Sequence, residues 1–192
     1  MNLPNRLTML RILMIPLFIL LIEIPFNWGT WTIGSQSVSI QFAVAALIFA
    51  IASLTDWLDG YIARRDNLVT NFGKFADPLA DKMLVITALI ELIALGKAPA
   101  WLVAIIVMRE LAVTGLRLLI VTEGEVLAAK WPGKIKTCTQ MLAIILLLVN
   151  DFPFQALPFS LGQFCLYLAL LATIYSGYDS FKKNWQVFSD SF

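Results

Sequence analysis

The stretch TDWLDGYIARRDNLVTNFGKFADPLAD, residues 55–81, carries four aspartates, Asp56, Asp59, Asp77 and Asp81, inside a chain that is otherwise strongly apolar. The first two are three residues apart and the last two are four apart, so each pair lies on one face if its segment is helical. Two antiparallel helices joined by the polar residues between them would bring all four carboxylates to the same end of a helix pair.

The rest of the chain has the composition of a membrane protein. Of its 192 residues, 59% are hydrophobic and 14% are charged, and the mean hydropathy is +0.81, far above that of an ordinary soluble domain. Six apolar runs are long enough, with their flanks, to cross a hydrocarbon core about 30 Å thick. They are residues 8–26, 39–54, 82–95, 101–121, 137–150 and 161–178. We expect an all-α fold: one bundle of six transmembrane helices that forms a single domain over residues 1–192.

Helix boundaries near the aspartates follow from the charged residues between the second and third apolar runs. We expect the second helix to end near Arg65 and the third to begin between Asn71 and Pro78. All four carboxylates then lie close to the same membrane surface.

Basic residues indicate which surface that is. If the N-terminus is cytoplasmic, Lys97 lies alone in an opposite loop, and Lys82 and Arg109 lie within helices. The remaining basic residues are on or near the cytoplasmic side: Arg6, Arg11, Arg64, Arg65, Lys74, Arg117, Lys130, Lys134, Lys136, Lys182 and Lys183. This asymmetry predicts cytoplasmic N- and C-termini and a cytoplasmic acidic cluster. A net charge of +1 argues against nucleic acid as a partner.

Four carboxylates at a membrane boundary need cationic compensation, because like charges raise each other's pKa and burial disfavours their ionised form. Arg64 and Lys82 would supply part of it. The chain contains no histidine, and four oxygen ligands suit a hard divalent cation such as Mg²⁺ or Mn²⁺. The aspartates therefore predict a site for one or two metal ions.

Small residues accompany the carboxylates. Gly60 follows Asp56 by four residues, Ala63 follows Asp59 by four, and Gly73 precedes Asp77 by four. Each is on the same helical face as its aspartate, where a flat ligand could approach closely. Small residues also serve plain helix packing in membranes, which is the alternative interpretation.

The full pattern, Asp56-x-x-Asp59-Gly60-x-x-Ala63-Arg64, then eight residues, then Gly73-x-x-x-Asp77-x-x-x-Asp81, resembles the complete signature of the CDP-alcohol phosphotransferase family. The resemblance implies a membrane enzyme that transfers a substituted phosphate from a CDP-linked donor to an alcohol and releases CMP, with Mg²⁺ or Mn²⁺, two ions in all. It implies that Asp56, Asp59 and Asp77 bind metal, and that Asp81 is near enough both to bind metal and to act as the base. The donor pocket would be lined by Gly60, Ala63, Arg64 and Gly73.

The acceptor must be inferred from residues outside that signature. Arg109 and Arg117 are eight residues apart, about 12 Å along one helical face, and Lys134 and Lys136 begin the fifth helix. Arginine suits a phosphate held in a fixed orientation, and lysine serves as a point charge. We therefore expect an acceptor that carries its own phosphate. The alternative is that Arg109 pairs with Glu110 and that the lysines only set the topology.

The opening NLPNRLTMLRILMIP, residues 2–16, extends the resemblance to bacterial family members that join CDP-diacylglycerol and sn-glycerol 3-phosphate. That likeness implies a homodimer in the bacterial plasma membrane with its active site facing the cytoplasm. It makes Asn5, Thr8 and Arg11 candidates for donor nucleotide or phosphate contacts, although helix capping or topology explains them equally well.

Two other functions fit parts of the pattern. A sister phosphotransferase acting on inositol phosphate would also need the basic residues. A cation transporter would use buried aspartates and arginines as an ion path, but its carboxylates would be spread through the membrane depth, often within inverted repeats, and no repeat is visible in this chain.

Overall fold

Helices make up most of the chain in the computed structural model, which describes residues 3–33, 36–65, 71–122 and 131–184. Within these ranges, side chains are described except at 3–5, 33, 56–65, 71–78, 117–122, 131, 132 and 134. The helices are α1 (Leu3–Glu23), α2 (Ile40–Arg65), α3 (Asn71–Ala94), α4 (Ala100–Thr122), α5 (Trp131–Leu148) and α6 (Leu161–Lys183). Each overlaps one of the six predicted apolar runs, so the prediction of a mainly helical fold is confirmed.

The helix boundaries around the acidic stretch also agree with the sequence. α2 continues through the polar residues after its apolar run and ends at Arg65, and α3 begins at Asn71. Both aspartate pairs therefore lie on helical backbone, as their spacing requires.

A β-hairpin precedes α2 and departs from the all-α fold that we expected. Strand β1 (Thr30–Ile33) pairs antiparallel with β2 (Gln36–Ser39). The Thr, Trp, Ile and Val residues of these segments favour extended backbone. A two-stranded hairpin is marginal alone; here Val38 is buried, and the Gln155 side-chain amide donates to the Ser37 carbonyl at 3.1 Å. Long-range contacts thus hold a short element that hydropathy did not reveal.

The core lies between the helices and is made of aliphatic and phenylalanine side chains. Phe18 of α1 and Phe49 of α2 are fully buried, and their ring centroids are 6.1 Å apart. α1 packs against α2 and α3, α5 packs against α2 and α6, and α4 packs against α6 and α3. The other large apolar side chains with no exposed surface are Leu84, Leu89, Leu92, Leu102, Ile106, Ile144, Leu148 and Leu166.

One end of the bundle is closed by polar side chains that bind backbone groups. Asp151 accepts hydrogen bonds from the Gly162 amide at 2.6 Å and the Ser160 hydroxyl at 2.5 Å, and Ser160 caps α6 by accepting from the Gln163 amide. Lys97, between α3 and α4, donates to the Leu148 carbonyl at 3.0 Å. We call this region, defined by Lys97, Asp151, Ser160 and Gln163, the capping end.

Large apolar side chains also cover the outside of the bundle. Leu13, Met108 and Leu171 are 66%, 71% and 63% exposed, whereas soluble proteins seldom expose extended apolar surface. Among the described residues, α6 is long and apolar enough to cross a membrane, with a mean hydropathy of 1.3. Shorter apolar helical stretches are Ile40–Thr55 and Ile135–Leu148.

Candidate active site

The four aspartates of the acidic stretch occupy the last turns of α2 and the first turns of α3. Asp56 and Asp59 are in α2, and Asp77 and Asp81 are in α3. The side chains of the first three lie outside the described residues, as do those of Ala63 and Arg64. Gly60 and Gly73 lie on the same two helices, and their surroundings are also outside the described residues. Among the described side chains, no group of three or more His, Cys, Asp or Glu residues comes together. The predicted metal ligation stays a prediction, and of the four carboxylates the structure describes the surroundings of Asp81.

Asp81 is partly buried and faces cationic neighbours. Arg11, Lys82 and Lys136 are all near enough to act on its carboxylate electrostatically. Its Oδ1 atom is buried and has no hydrogen-bond partner in the described part of the chain. A buried carboxylate oxygen without a partner is costly, and it is an available acceptor for a proton or a metal ion.

A cavity of about 30 Å³ adjoins Asp81 between α3, α4 and α5. Its polar lining is formed by Asp81, Lys82, Glu110, Lys136, Thr137 and Gln140, and its apolar lining by Val85, Ile86 and Met141. A water needs roughly 10–15 Å³ of such volume. The cavity therefore has room for a hydroxyl or hydroxymethyl group.

Glu110 of α4 joins three basic side chains at this cavity. Its carboxylate lies 3.1 Å from Lys82 Nζ and 2.8 Å from Arg109 Nη1, and it also pairs with Lys136 Nζ. The Glu110 side chain is 14% exposed, and that of Lys136 is 7% exposed. We refer to Asp81, Lys82, Arg109, Glu110 and Lys136 as the polar cluster. Its three cations and two carboxylates leave one positive charge (3 − 2), which favours an anionic ligand.

Arg109 spans from α4 to α6. Its Nη2 donates to the Ser176 hydroxyl at 2.6 Å, and the Arg109 stem passes so close to α6 that a Cβ at Gly177 would lie 3.1 Å from its Cγ. The pairing with Glu110 is the alternative that the sequence left open for this arginine. Its contact with an acceptor phosphate stays a prediction.

The remaining predicted site residues fall into two groups. Thr8 and Arg11 of α1 are completely buried, and the Arg11 Nε donates to the Ala52 carbonyl of α2 at 3.3 Å. Lys136 lines the cavity, as described above. Asn5, Arg117 and Lys134 lie on helices, but their side chains are outside the described residues.

The sequence model of the CDP-alcohol phosphatidyltransferase family matches residues 1–175. The chain belongs to this family. As a CDP-alcohol phosphatidyltransferase, it carries four aspartates on α2 and α3, and the last of them, Asp81, belongs to the polar cluster.

Whole-length relatives agree with this membership. A protein of Bacillus subtilis named CDP-diacylglycerol–glycerol-3-phosphate 3-phosphatidyltransferase is 48% identical over 190 residues, which cover 99% of this chain and 98% of that protein. A protein of the same name from Pseudomonas fluorescens is 38% identical over 96% of this chain and 91% of its own length. A probable phosphatidylglycerophosphate synthase of Mycobacterium tuberculosis is 39% identical over 93% of this chain and 79% of its own.

Two residues of this candidate site were not predicted as site residues. In the sequence, Glu110 suggests only a partner for Arg109, and Gln140 belongs to no predicted site. A local signal existed for Gln140, because it follows Lys136 by one helical turn on the face of α5 that continues into buried Ala143 and Ile144. No local signal links Glu110 to Lys82 and Lys136, which are 28 and 26 residues away in sequence.

Proposed function

We propose that this protein transfers the phosphatidyl group of CDP-diacylglycerol to sn-glycerol 3-phosphate, giving phosphatidylglycerol phosphate and CMP. The observation that carries the proposal is the 48% identity, over 99% of the chain, to a protein named for this reaction. The polar cluster supports it, because its excess positive charge suits an acceptor that carries a phosphate.

In the reaction, the primary hydroxyl oxygen of glycerol 3-phosphate forms a bond to the phosphorus that carries the diacylglycerol. The bond between that phosphorus and the oxygen bridging to CMP breaks, and CMP leaves with the bond's electron pair. Asp81 accepts the hydroxyl proton, a role that fits its unpartnered, buried Oδ1. Lys136 and Arg109, with Arg117 and Lys134, bind the acceptor phosphate.

The family generally uses divalent cations, and the residues of this chain fit such an ion. Asp56, Asp59, Asp77 and Asp81 form an all-oxygen donor set with no competing histidine, as Mg²⁺ and Mn²⁺ prefer. We assign two ions to these four ligands. When bound, the ions offset the diphosphate charge and polarise the phosphorus. Gly60, Ala63, Arg64 and Gly73, together with Asn5 and Thr8, bind the cytidine diphosphate part of the donor.

The donor's lipid chains account for the architecture that we assign to the protein. It is a single domain of six transmembrane helices over residues 1–192, in the bacterial plasma membrane, with both termini and the active site cytoplasmic. The exposed apolar residues around the bundle support this location. Acyl chains remain in the bilayer while the diphosphate reaches the aqueous boundary, where the acceptor arrives. We assign the protein a homodimeric state.

The test is CMP release by the purified protein in detergent, with CDP-diacylglycerol and Mg²⁺. Glycerol 3-phosphate, inositol phosphate, serine and no acceptor are compared in parallel, with and without a chelator. We expect release with glycerol 3-phosphate alone and only when metal is present. Release with inositol phosphate instead would keep the family's chemistry and overturn the acceptor, and no release with any acceptor would overturn the proposal.

A further inference from the structure

Gln140 is a buried amide next to the proposed reaction centre. It lies on α5, one turn after Lys136, and is 2% exposed. Its Nε2 has no hydrogen-bond partner among the described residues. Buried amide N–H groups almost always have a hydrogen-bond partner, because a buried donor without one loses its hydrogen bonds to water and gains none in return.

A second buried glutamine in the same chain shows how the fold treats such a group where it is structural. Gln41 of α2 is 7% exposed, and its Nε2 donates to the carbonyls of Leu21 and Ile24 at 2.6 and 2.9 Å. Both amide hydrogens of Gln41 thus have backbone acceptors. Gln140 is as buried as Gln41, but it lines a cavity, whereas Gln41 meets backbone carbonyls.

The cavity that Gln140 lines has three chemically distinct parts. Lys136 and Lys82 supply positive charge, Asp81 supplies a carboxylate with an unpartnered Oδ1, and Val85 and Met141 supply apolar wall. Its volume of about 30 Å³ has room for a hydroxyl-bearing carbon. Gln140 is therefore placed to meet a small polar group beside an apolar carbon.

Resting on the proposed function, we propose that Gln140 recognises the secondary hydroxyl of glycerol 3-phosphate by donating a hydrogen bond to its oxygen. The acceptor has three polar groups. The cations bind the phosphate, and Asp81 accepts the proton of the primary hydroxyl. Gln140 donates a hydrogen bond to the secondary hydroxyl on the intervening carbon. Gln140 is thus a specificity-determining residue: an acceptor without that hydroxyl leaves the buried amide unpaired, which is the strongest form of discrimination a polar site can apply.

The experiment compares two acceptors on the purified full-length protein with CDP-diacylglycerol and Mg²⁺. One is sn-glycerol 3-phosphate, and the other is 3-hydroxypropyl phosphate, which keeps the primary hydroxyl and the phosphate but lacks the secondary hydroxyl. The wild-type protein should prefer glycerol 3-phosphate by about 10-fold or more in kcat/KM, the usual scale for a lost hydrogen bond in a buried site. In Gln140→Leu, that preference should fall to about threefold or less, with the loss confined to glycerol 3-phosphate.

Gln41→Leu is the matched control, since it also removes a buried amide of the same size. It should change kcat/KM for both acceptors by one common factor, so the preference stays at the wild-type value. Gln140→Met provides a second variant of similar volume and flexible shape, and thermal unfolding in detergent establishes that each variant is folded.

Different failures have different meanings. Equal use of both acceptors by the wild-type protein overturns the assignment without reference to any variant, and so does an equal loss for both acceptors in Gln140→Leu or Gln140→Met. In both cases, turnover of glycerol 3-phosphate by the wild-type protein leaves the proposed function standing. If the wild-type protein uses neither acceptor, the proposed function itself fails, and the role of Gln140 fails with it.

Discussion

The two ends of the helix bundle treat their polar side chains in opposite ways. At the capping end, Asp151 binds one backbone amide and one hydroxyl, and Lys97 binds a backbone carbonyl. At the polar cluster, Asp81 Oδ1 and Arg109 Nε are buried without a partner in the described part of the chain. Polar groups at the first end complete the fold, and those at the second remain available for a ligand.

The two ends differ in whether their buried polar atoms have hydrogen-bond partners, and not in how buried or how charged they are. Both regions contain acidic and basic side chains that are largely removed from solvent. Glu91, one turn before the end of α3, is an exception: its Oε2 lacks a partner among the described residues, and its carboxyl group interacts with Glu23. At the polar cluster, by contrast, the unpartnered Asp81 Oδ1 and the neighbouring Gln140 Nε2 belong to residues that line a cavity. The candidate site is therefore distinguished by buried polar atoms that lack a hydrogen-bond partner and also adjoin a cavity.

The sharpest way to break this comparison is to exchange one carboxylate for an amide at each end. Asp81→Asn should lower kcat by about 10²–10⁴, the usual contribution of a general base, while donor binding persists. Turnover is measured by CMP release, and donor binding is measured by titration with CDP-diacylglycerol in detergent. Loss of donor and metal binding together with turnover would reassign Asp81 as chiefly a metal ligand.

Asp151→Asn is the matched control for that experiment. It should keep wild-type turnover at a temperature where the protein is folded, because the Asp151 carboxylate binds Gly162 and Ser160 at the capping end and not the polar cluster. A comparable loss of turnover in both variants would erase the distinction between the two ends.

Removing the anion at the centre of the polar cluster should have the next largest effect. In Glu110→Gln, the three neighbouring cations lose their shared carboxylate and repel one another, so the free energy of unfolding should fall by about 3 kcal/mol, as for other broken buried ion pairs. Thermal unfolding in detergent measures this, and kcat/KM for glycerol 3-phosphate should fall as well, because Lys136 loses its orientation. Unchanged stability would mean that the cations are neutralised elsewhere.

A glycine at the capping end should affect stability without affecting chemistry. In Gly162→Ala, the new Cβ would lie 2.8 Å from both Asp151 Oδ1 and Leu147 Cγ, so the Asp151 and Leu147 side chains must shift from their packed positions. We expect a loss of about 2 kcal/mol in the free energy of unfolding, seen as a lower unfolding midpoint. Turnover of the folded protein should not change.

Gly115→Ala supplies the control for that change, because a Cβ at Gly115 meets nothing within 4 Å. Alanine at this helical position should be neutral, or stabilising by about 0.5–1 kcal/mol. Destabilisation at both glycines would indicate a general sensitivity of the helices and not a close contact at Gly162.

The smallest expected effect is a pH dependence at the capping end. Burial lowers the pKa of Lys97 to about 8, although Asp151 partly opposes the shift. Between this pKa and the unfolded value of 10.5, the unfolded chain binds more protons, so stability should rise with pH. The Leu148 carbonyl and the Phe42 ring, 4.6 Å from Lys97 Nζ, stabilise the charged form and reduce the effect.

The measurement is the unfolding midpoint from pH 8 to pH 10 in the wild-type protein and in Lys97→Met. Because Lys97 is partly exposed, solvent screening reduces its contribution to about 1 kcal/mol, for which the unfolding midpoint of the wild-type protein should rise by about 2–4 °C relative to the variant. Parallel profiles would mean that Lys97 keeps its ordinary pKa, and that the capping end holds a fully charged lysine.

Local patterns in the sequence were sufficient for the helices. The ends of α2 and α3 at Arg65 and Asn71 agree with the prediction, because apolar runs and charged boundaries act over neighbouring residues. The hairpin of Thr30–Ile33 and Gln36–Ser39 was missed, because short strands carry little signal of their own and depend on contacts with distant residues such as Gln155.

The sequence by itself determined the aspartate signature, its placement on two helices and the family to which the chain belongs. The tertiary structure alone decided that Glu110 joins Lys82, Arg109 and Lys136 into one cluster, and that Gln140 faces a cavity while Gln41 is satisfied by backbone carbonyls. The physical reason is that the two kinds of interaction act over different distances along the sequence. Helical periodicity fixes which face of its own helix a residue occupies, but the partner of a buried charge or amide depends on how separate helices rotate and pack against one another.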